Sequence, residues 1–144
     1  MENDIGLKLQ FYADGAGGVV GEYTVPKQFE GYPGLAHGGI VATMLDEALI
    51  RAFLLDDPNR LMYTARLTTR FRKHLPIEQP LMLRAKITTD RQTKGEAEAQ
   101  IYGPDGDLLV DGQALMVALP EEELSAADLE ELGWRVYPDE ELAA

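Results

Sequence analysis

The alternation of apolar and polar residues predicts strands over most of the chain. The pattern gives a first strand at residues 7–12 and a second at 19–25, which together predict a hairpin across a glycine-rich turn. After residue 60 it gives four more strands, at 62–73, 81–89, 96–102 and 108–119. Because short turns join these four strands in series, we expect an antiparallel sheet.

The strand at 62–73 alternates almost without interruption. One face is expected to carry Tyr63, Ala65, Leu67, Thr69 and Phe71, and the other Thr64, Arg66, Thr68, Arg70 and Arg72. The last strand, 108–119, is apolar on both sides near its end, which predicts a central position or an interface.

One segment has the spacing of an amphipathic helix. Between residues 40 and 54, apolar residues recur in pairs every four positions and form one wide stripe. The helix is expected to end before Pro58, because proline cannot continue it. A single long helix must bury its stripe against one face of the sheet, so the predicted fold class is α+β. We expect one domain over residues 1–119 and an acidic tail at 120–144 with a short helix at 126–132.

Composition removes several classes of chemistry. The 144 residues contain no cysteine, two histidines and a single serine, Ser125. These counts exclude a thiolate nucleophile, a cysteine metal site and a GxSxG serine hydrolase, and the spacing of the histidines predicts no metal site. The N-terminus lacks the pattern of a signal peptide and no apolar run could span a membrane, so we expect a cytoplasmic protein.

Charge is distributed unevenly along the chain. The formal net charge of −12 argues against nucleic acid as a partner. Residues 60–94 nevertheless hold nine basic residues and two acidic ones, whereas the tail holds nine acidic residues and one basic residue. The basic segment predicts either a site for a small anionic ligand or a solvated sheet face with mixed charges, and the composition leaves both open.

The candidate chemistry lies where a glycine-rich loop meets the helix. His37, Gly38 and Gly39 precede the helix, and Asp46 follows nine residues after His37, next to Glu47. A helix N-terminus offers unpaired N–H groups that can polarise a carbonyl oxygen. The two carboxylates fall on opposite flanks of the apolar stripe, and periodicity does not decide which one faces a site.

Each of these features also has a structural explanation. His37 can cap the helix, and the two glycines can form a tight turn. Asp46 and Glu47 can lie on an exposed face, with Glu47 paired to Arg51 four residues later. The residues alone leave these alternatives open.

The segment at residues 31–48, GYPGLAHGGIVATMLDEA, resembles the signature of hotdog-fold acyl-CoA thioesterases, specifically the phenylacetate-degradation branch of the 4-hydroxybenzoyl-CoA thioesterase superfamily. A second segment at 64–85, TARLTTRFRKHLPIEQPLMLRA, resembles the family's strand after the helix and the hairpin that follows. The resemblance covers about residues 7–119. It implies an antiparallel sheet wrapped around one long central helix.

The resemblance also implies roles for individual residues. Asp46 matches the catalytic carboxylate, a nucleophile or general base, Gly38 the backbone N–H that polarises the thioester carbonyl, and His37 the residue that orients the loop or the thioester. It implies a homodimer or a dimer of dimers with the site at the subunit interface, and no cofactor, because coenzyme A is part of the substrate. Candidate substrate-binding residues are Gly39 and Glu47 beside the site and Arg70, Arg72 and Lys73 for the phosphates of coenzyme A.

One position departs from the family pattern. Many members have an asparagine six residues before the histidine, where this chain has Gly31. The resemblance makes an acyl-CoA thioesterase the leading hypothesis. The departure at Gly31 favours the alternative, a non-catalytic acyl-CoA-binding protein such as a ligand sensor. A hotdog dehydratase acting on hydroxyacyl thioesters fits less well, because its histidine and carboxylate have a different spacing.

Overall fold

The computed structural model describes residues 7–119, and within them one helix packs against a six-stranded antiparallel sheet. The tail at 120–144 and its predicted short helix lie outside the described residues. The elements are β1 (Tyr12–Ala13), β2 (Gly18–Thr24), a 3-10 turn (Lys27–Phe29), α1 (Gly38–Leu54), β3 (Met62–Phe71), β4 (Pro80–Asp90), β5 (Lys94–Tyr102) and β6 (Leu108–Ala118). The predicted class, a hotdog fold, is confirmed.

The sheet order is β1-β2-β4-β5-β6-β3, so the strand that follows the helix lies at the edge. The chain leaves β3 at that edge and returns to the middle of the sheet as β4, through residues 72–79. β6 lies between β5 and β3, which confirms its predicted central position. Within the described residues, the outer edge of β3 has no neighbouring strand.

The predicted first strand at residues 7–12 is wrong over most of its length. Only Tyr12 and Ala13 pair with β2, opposite Val20 and Val19. Lys8 has a positive φ of 58°, which interrupts an extended backbone. The alternation there instead reflects a segment that packs on the core, where Phe11 is fully buried.

The helix buries its stripe against the middle of the sheet. Met44, Leu45 and Leu49 on α1 are fully buried. On the sheet, Leu83 of β4 and Ile101 of β5 are each at most 1% exposed. Burial of apolar surface of this kind is the main favourable contribution to folding. Among residues 7–119, no helix has both the length and the apolar character needed to cross a bilayer.

A β-bulge in β3 corrects the predicted faces of that strand. Thr64 lies opposite Met116 and Arg66 lies opposite the next residue of β6, Leu115, so Ala65 is the extra residue. A bulge of this kind reverses the alternation on one side of it. Thr64 therefore shares the helix-facing side with Thr69 and Phe71, rather than the outer side with the arginines.

Candidate active site

The loop before the helix is held on two sides by backbone hydrogen bonds. The His37 N–H donates to the Phe29 carbonyl at 2.9 Å, and the Ala36 N–H donates to the Leu75 carbonyl at 2.9 Å. Within the loop, the Gly31 N–H donates to the Leu35 carbonyl at 2.8 Å. The start of the helix is therefore fixed relative to the loop that follows β3.

His37 is the N-cap of α1. Its Nδ1 accepts a hydrogen bond from the Gly39 N–H at 2.9 Å, in an extended backbone conformation with φ −62° and ψ 134°. This capping explanation for His37 is therefore correct, and the bond requires Nδ1 to be unprotonated. A neutral ring then carries its proton on Nε2, which has no acceptor within residues 7–119. The predicted role of Gly39 in substrate binding stays a prediction, since its N–H is used by the cap.

The Gly38 N–H is the exposed donor at this helix end. The carbonyl of His37 accepts from the N–H groups of Ile40 and Val41, at 3.0 and 3.1 Å, and the Gly39 N–H is used by His37. Within the described residues, the Gly38 N–H has no acceptor. It points out of the positive end of the helix dipole, where an oxygen that gains negative charge is stabilised.

Asp46 is on one flank of the apolar stripe of α1 and faces the edge strand β3. The Thr64 hydroxyl donates a hydrogen bond to Asp46 Oδ1 and also lies 3.5 Å from the Met116 sulfur. Asp46 is half-buried, and this bond fixes the orientation of its carboxylate. Thr64 was missed by the sequence analysis, because simple alternation placed it on the outer face.

Glu47 lies on the opposite flank and is held by an ion pair. Its Oε2 lies 3.1 Å from Nη1 of Arg51, a residue only 7% exposed. Burial raises the pKa of Glu47 above its ordinary value, while the Arg51 charge lowers it and the Asp46 charge raises it further. The predicted pairing of Glu47 with Arg51 is therefore confirmed. The role of Glu47 in substrate binding stays a prediction.

Four of the nine basic residues at 60–94 form ion pairs with acidic side chains. The pairs are Arg60 with Asp90 at 2.6 Å, Arg72 with Asp111 at 2.7 Å, Lys73 with Asp107 at 2.8 Å and Lys86 with Glu98 at 3.5 Å. Arg66 and Arg70 form no salt bridge within the described residues, and both lie on the outer face of β3. The assignment of Arg70, Arg72 and Lys73 to coenzyme A stays a prediction.

A groove of about 360 Å³ lies where β3 ends. It is lined by Lys73 and His74 from the segment after β3, and by Asp105 and Asp107 from the turn before β6. Cations and anions therefore share this groove, with Lys73 already bound to Asp107. Among the described residues, no group of three or more histidine or acidic side chains is placed to hold a metal ion.

The two halves of the candidate site are far apart within one chain. Gly38 and Asp46 are separated by eight residues of α1, which corresponds to about 12 Å along the helix axis. The Gly38 N–H and the Asp46 carboxylate of the same chain therefore lie at different parts of the helix and cannot both contact one small group.

Comparison with known proteins identifies the family. The thioesterase superfamily matches residues 33–110, which is more than half of the chain and includes the helix and its preceding loop. The chain belongs to the thioesterase superfamily. No curated protein matches the chain at a significant level.

Solved structures of thioesterase superfamily proteins share this fold. One is 32% identical over 70% of this chain, with a TM-score of 0.65, and this chain spans about half (49%) of that protein. The PaaI protein of E. coli, from the phenylacetic acid degradation operon, is 14% identical, with a TM-score of 0.69 and coverage of 79% of this chain and 81% of PaaI. A hypothetical thioesterase protein from Streptococcus pneumoniae, solved with coenzyme A, is 18% identical, with a TM-score of 0.65 and coverage of 70% of this chain and 80% of that protein. The resemblance seen in residues 31–48 is thereby confirmed at the level of the superfamily.

Proposed function

We propose that this chain is an acyl-CoA thioesterase that releases a free acid and coenzyme A. The observation that carries the proposal is the pair of half-sites on one helix. The carboxylate of Asp46 is oriented by Thr64, and the N–H of Gly38 is left without an acceptor at the helix start. Thioester hydrolysis needs these two functions, a carboxylate and an oxyanion donor, and it needs neither serine nor cysteine.

In the proposed reaction the thioester carbonyl oxygen accepts a hydrogen bond from the Gly38 N–H. As the carbonyl carbon is attacked, this oxygen gains negative charge, which the N–H and the helix dipole stabilise. Asp46 either takes a proton from the attacking water or attacks the carbon itself, forming an anhydride that water then cleaves. The C–S bond breaks, and the thiolate of coenzyme A leaves and is protonated.

A second copy of the chain supplies the missing half of each site in this proposal. The edge of β3 has no neighbouring strand within the described residues, and two such edges can pair in antiparallel fashion about a twofold axis. That axis reverses one helix relative to the other. Asp46 of one copy is then brought toward Gly38 of the second copy, which removes the separation found within a single chain.

The choice of coenzyme A as the thiol has two supports. The S. pneumoniae protein that shares this fold was solved with coenzyme A. In this chain, Arg72 and Lys73 directly follow Phe71, whose ring lies beside Gly38 at the helix start. Phosphate oxygens can compete for such cations even where a carboxylate holds them in the free protein.

The first test is thiol release from a panel of short, long and aryl acyl-CoA substrates, with Gly38→Pro as the diagnostic variant. Proline is well tolerated at the first helical position, and the extended backbone of His37 suits a residue before proline. The change therefore removes the N–H and leaves the helix start intact, and Gly38→Ala, which adds a Cβ but keeps the N–H, is the control for the added atoms. Loss of one such donor lowers turnover by about 100- to 1000-fold in other enzymes, and we expect a loss of that size here.

Calorimetry with the wild-type chain and the same panel separates the two function classes. If acyl-CoA binds and no thiol is released from any substrate, the chain is a binding protein, and the proposal of catalysis is wrong. A wild-type chain that releases thiol, with Gly38→Pro equally active, would leave the activity and refute the oxyanion role of Gly38.

The shared site has its own test in mixed dimers. Asp46→Asn and Gly38→Pro are expected to be inactive separately, because every site of either variant lacks one group. After co-refolding at equal amounts, half of the dimers are mixed and each has one intact site, so about a quarter of the wild-type activity should return. If each site is built within one chain, mixing will restore nothing.

The departure at Gly31 can be tested directly. A Cβ at this position would lie 3.1 Å from the His37 Cα, so a side chain there requires the capping residue to shift by a few tenths of an ångström. Gly31→Asn is therefore expected to lower the melting temperature and to give no gain in thiol release. A gain in turnover would show that the missing asparagine limits this chain.

A further inference from the structure

Within residues 7–119, neither backbone conformation nor steric contact requires a glycine at position 38. Of the twelve glycines within residues 7–119, four have positive φ, and seven others would place a Cβ within 2.6 to 3.2 Å of another atom. At Gly38 the backbone is helical, and the nearest atom to an added Cβ is Cζ of Phe71 at 4.0 Å, which is ordinary contact. Alanine is the better helix former and would fit in the free chain. The space beside Gly38 is therefore not filled by the described part of the chain and is open to part of a ligand.

Phe71 forms the wall of this space. Its ring is on the helix-facing side of β3, where most side chains are covered, yet the residue is 54% exposed. Contact between an exposed aromatic ring and an apolar partner is favourable because it removes the ring from water. The ring therefore lies beside Gly38, the residue whose N–H is proposed to bind the thioester, and has exposed surface there.

We propose that Phe71 is a substrate-contacting specificity residue, and that its ring packs on the sulfur-bearing arm of the coenzyme A thiol in the space left open by Gly38. This inference rests on the proposed function. The sulfur and the methylene groups beside it are apolar and slim, and sulfur makes favourable contacts with aromatic rings. A Cβ at residue 38 would fill the space that this arm occupies.

The residues that follow Phe71 indicate which part of the thioester contacts the ring, namely the thiol rather than the acyl group. The next residues are Arg72 and Lys73, and the groove lined by Lys73 and His74 follows. In coenzyme A the phosphates lie at the far end of the same arm that carries the sulfur. A thiol arm that runs from Gly38 past Phe71 would bring these phosphates toward the basic end of β3. The acyl group would extend the other way.

Phe71→Ala, measured with two kinds of thioester, tests this assignment. The first series varies the acyl group on coenzyme A, and the second varies it on N-acetylcysteamine, which keeps the sulfur-bearing arm and lacks the phosphates. We expect KM to rise about five- to tenfold for every acyl group and for both thiols, because half of an aromatic side chain's contact is lost. Lys73→Ala, in contrast, should raise KM only for the coenzyme A series.

Two readouts do not depend on turnover. The Kd of free coenzyme A, measured by calorimetry, should rise by the same five- to tenfold factor in Phe71→Ala. Gly38→Ala, which keeps the N–H, should melt no lower than the wild type and should weaken free coenzyme A binding. Tyr63→Ala is the matched control, because Tyr63 is on the same strand, is 45% exposed and faces the outer side of the sheet. It should leave both KM and Kd unchanged.

Three results would overturn the inference. A KM change that depends on the acyl group would place the ring on the acyl side. An unchanged KM and Kd in a wild-type background that hydrolyses thioesters would remove Phe71 from the site. Dissociation of the oligomer by Phe71→Ala and not by Tyr63→Ala, measured by sedimentation, would make the ring an interface residue. A wild-type chain that cleaves no thioester would instead refute the proposed function.

Discussion

Two adjacent carboxylates on one helix have opposite environments. Asp46 faces β3 at the open edge of the sheet and accepts a hydrogen bond from a neutral hydroxyl of Thr64. Glu47 faces the other flank and is 3.1 Å from the guanidinium of Arg51, which is almost fully buried. A turn of about 100° per residue is enough to separate them.

Asp46 is thus a carboxylate oriented by a hydroxyl, whereas Glu47 is a carboxylate whose charge is balanced by a guanidinium. The Thr64 hydroxyl uses part of one Asp46 oxygen and leaves the second oxygen for a water or a carbonyl carbon. Arg51 instead offsets the charge of Glu47, so that a half-buried carboxylate is tolerated next to the core. We infer that the first arrangement serves chemistry and the second serves the fold.

The largest expected effect is the loss of thiol release in Asp46→Asn. The amide keeps the shape of the side chain but can neither accept a proton nor attack the carbonyl, and such groups contribute about 100- to 10,000-fold to rate. We expect turnover to fall by that order, measured by coenzyme A release at saturating substrate. If Glu47→Gln, assayed alongside, loses more turnover than Asp46→Asn, the assignment of the two flanks is reversed.

A smaller loss is expected when the hydroxyl partner of Asp46 is removed. Thr64→Val has nearly the same shape and keeps the β-branch that suits a strand, but it has no O–H to donate. A misoriented carboxylate should lower kcat about tenfold with little change in KM, consistent with the loss of about one hydrogen bond. Thr64→Ser restores the hydroxyl and should recover most of the turnover. Equal losses in valine and serine variants would show that Thr64 acts only through packing.

Arg51→Met is expected to affect stability more than activity. The change leaves the half-buried carboxylate of Glu47 without its charge partner, which should lower the free energy of unfolding by about 1–3 kcal/mol. Urea unfolding at pH 7 measures this loss. The double variant Glu47→Gln with Arg51→Met removes both charges and should recover much of it. A double variant less stable than the single one would show that Glu47 has a separate structural role.

The smallest effect is a difference in the pH dependence of stability. Because the folded pKa of Glu47 is raised, the folded state binds more protons above pH 4.5, and the contribution of Glu47 falls as pH rises from there through the raised pKa. Asp90 behaves in the opposite way, since hydrogen bonds from Arg60 lower its pKa from 3.8 to about 2. Its contribution is present above pH 3.8 and is lost as pH falls toward 2.

Thermal melts between pH 2 and pH 7 separate these two contributions. Glu47→Gln should remove a decline above pH 4.5, and Asp90→Asn should remove part of the rise between pH 2 and pH 4. A decline above pH 4.5 that persists in Glu47→Gln would assign it to another group.

Periodicity predicted most of the architecture because the core imposes it. The helix bounds differ from the prediction only at its start, where the two glycines carry no apolar side chain to mark the helix. The positions of strands β4 to β6 follow from alternation on a sheet with one buried face. The segment at residues 7–11 misled for the same reason, since its alternating residues pack on the core without pairing as a strand.

The positions of the candidate residues on the helix were predictable from the sequence, whereas the contact that the edge strand makes with them was not. The spacing of His37, Gly38 and Asp46 follows from one continuous element, so the sequence carries it. The contact between Asp46 and Thr64 depends on an extra residue in β3 and on the pairing of β3 with β6, neither of which local alternation reveals. The neutralisation of Arg72 and Lys73 by Asp111 and Asp107 likewise depends on which strands become neighbours.

The extra residue in β3 has a consequence for protein engineering. A carboxylate grafted onto the helix of another protein of this fold would lack its hydroxyl partner if that protein's edge strand were regular, because the threonine would then face away from the helix. Deleting Ala65 should have the same effect in this chain, since it would return the strand to a single phase and move either Thr64 or the arginines to the wrong side. The helix and the irregular strand therefore form one transplantable unit, and neither is sufficient alone.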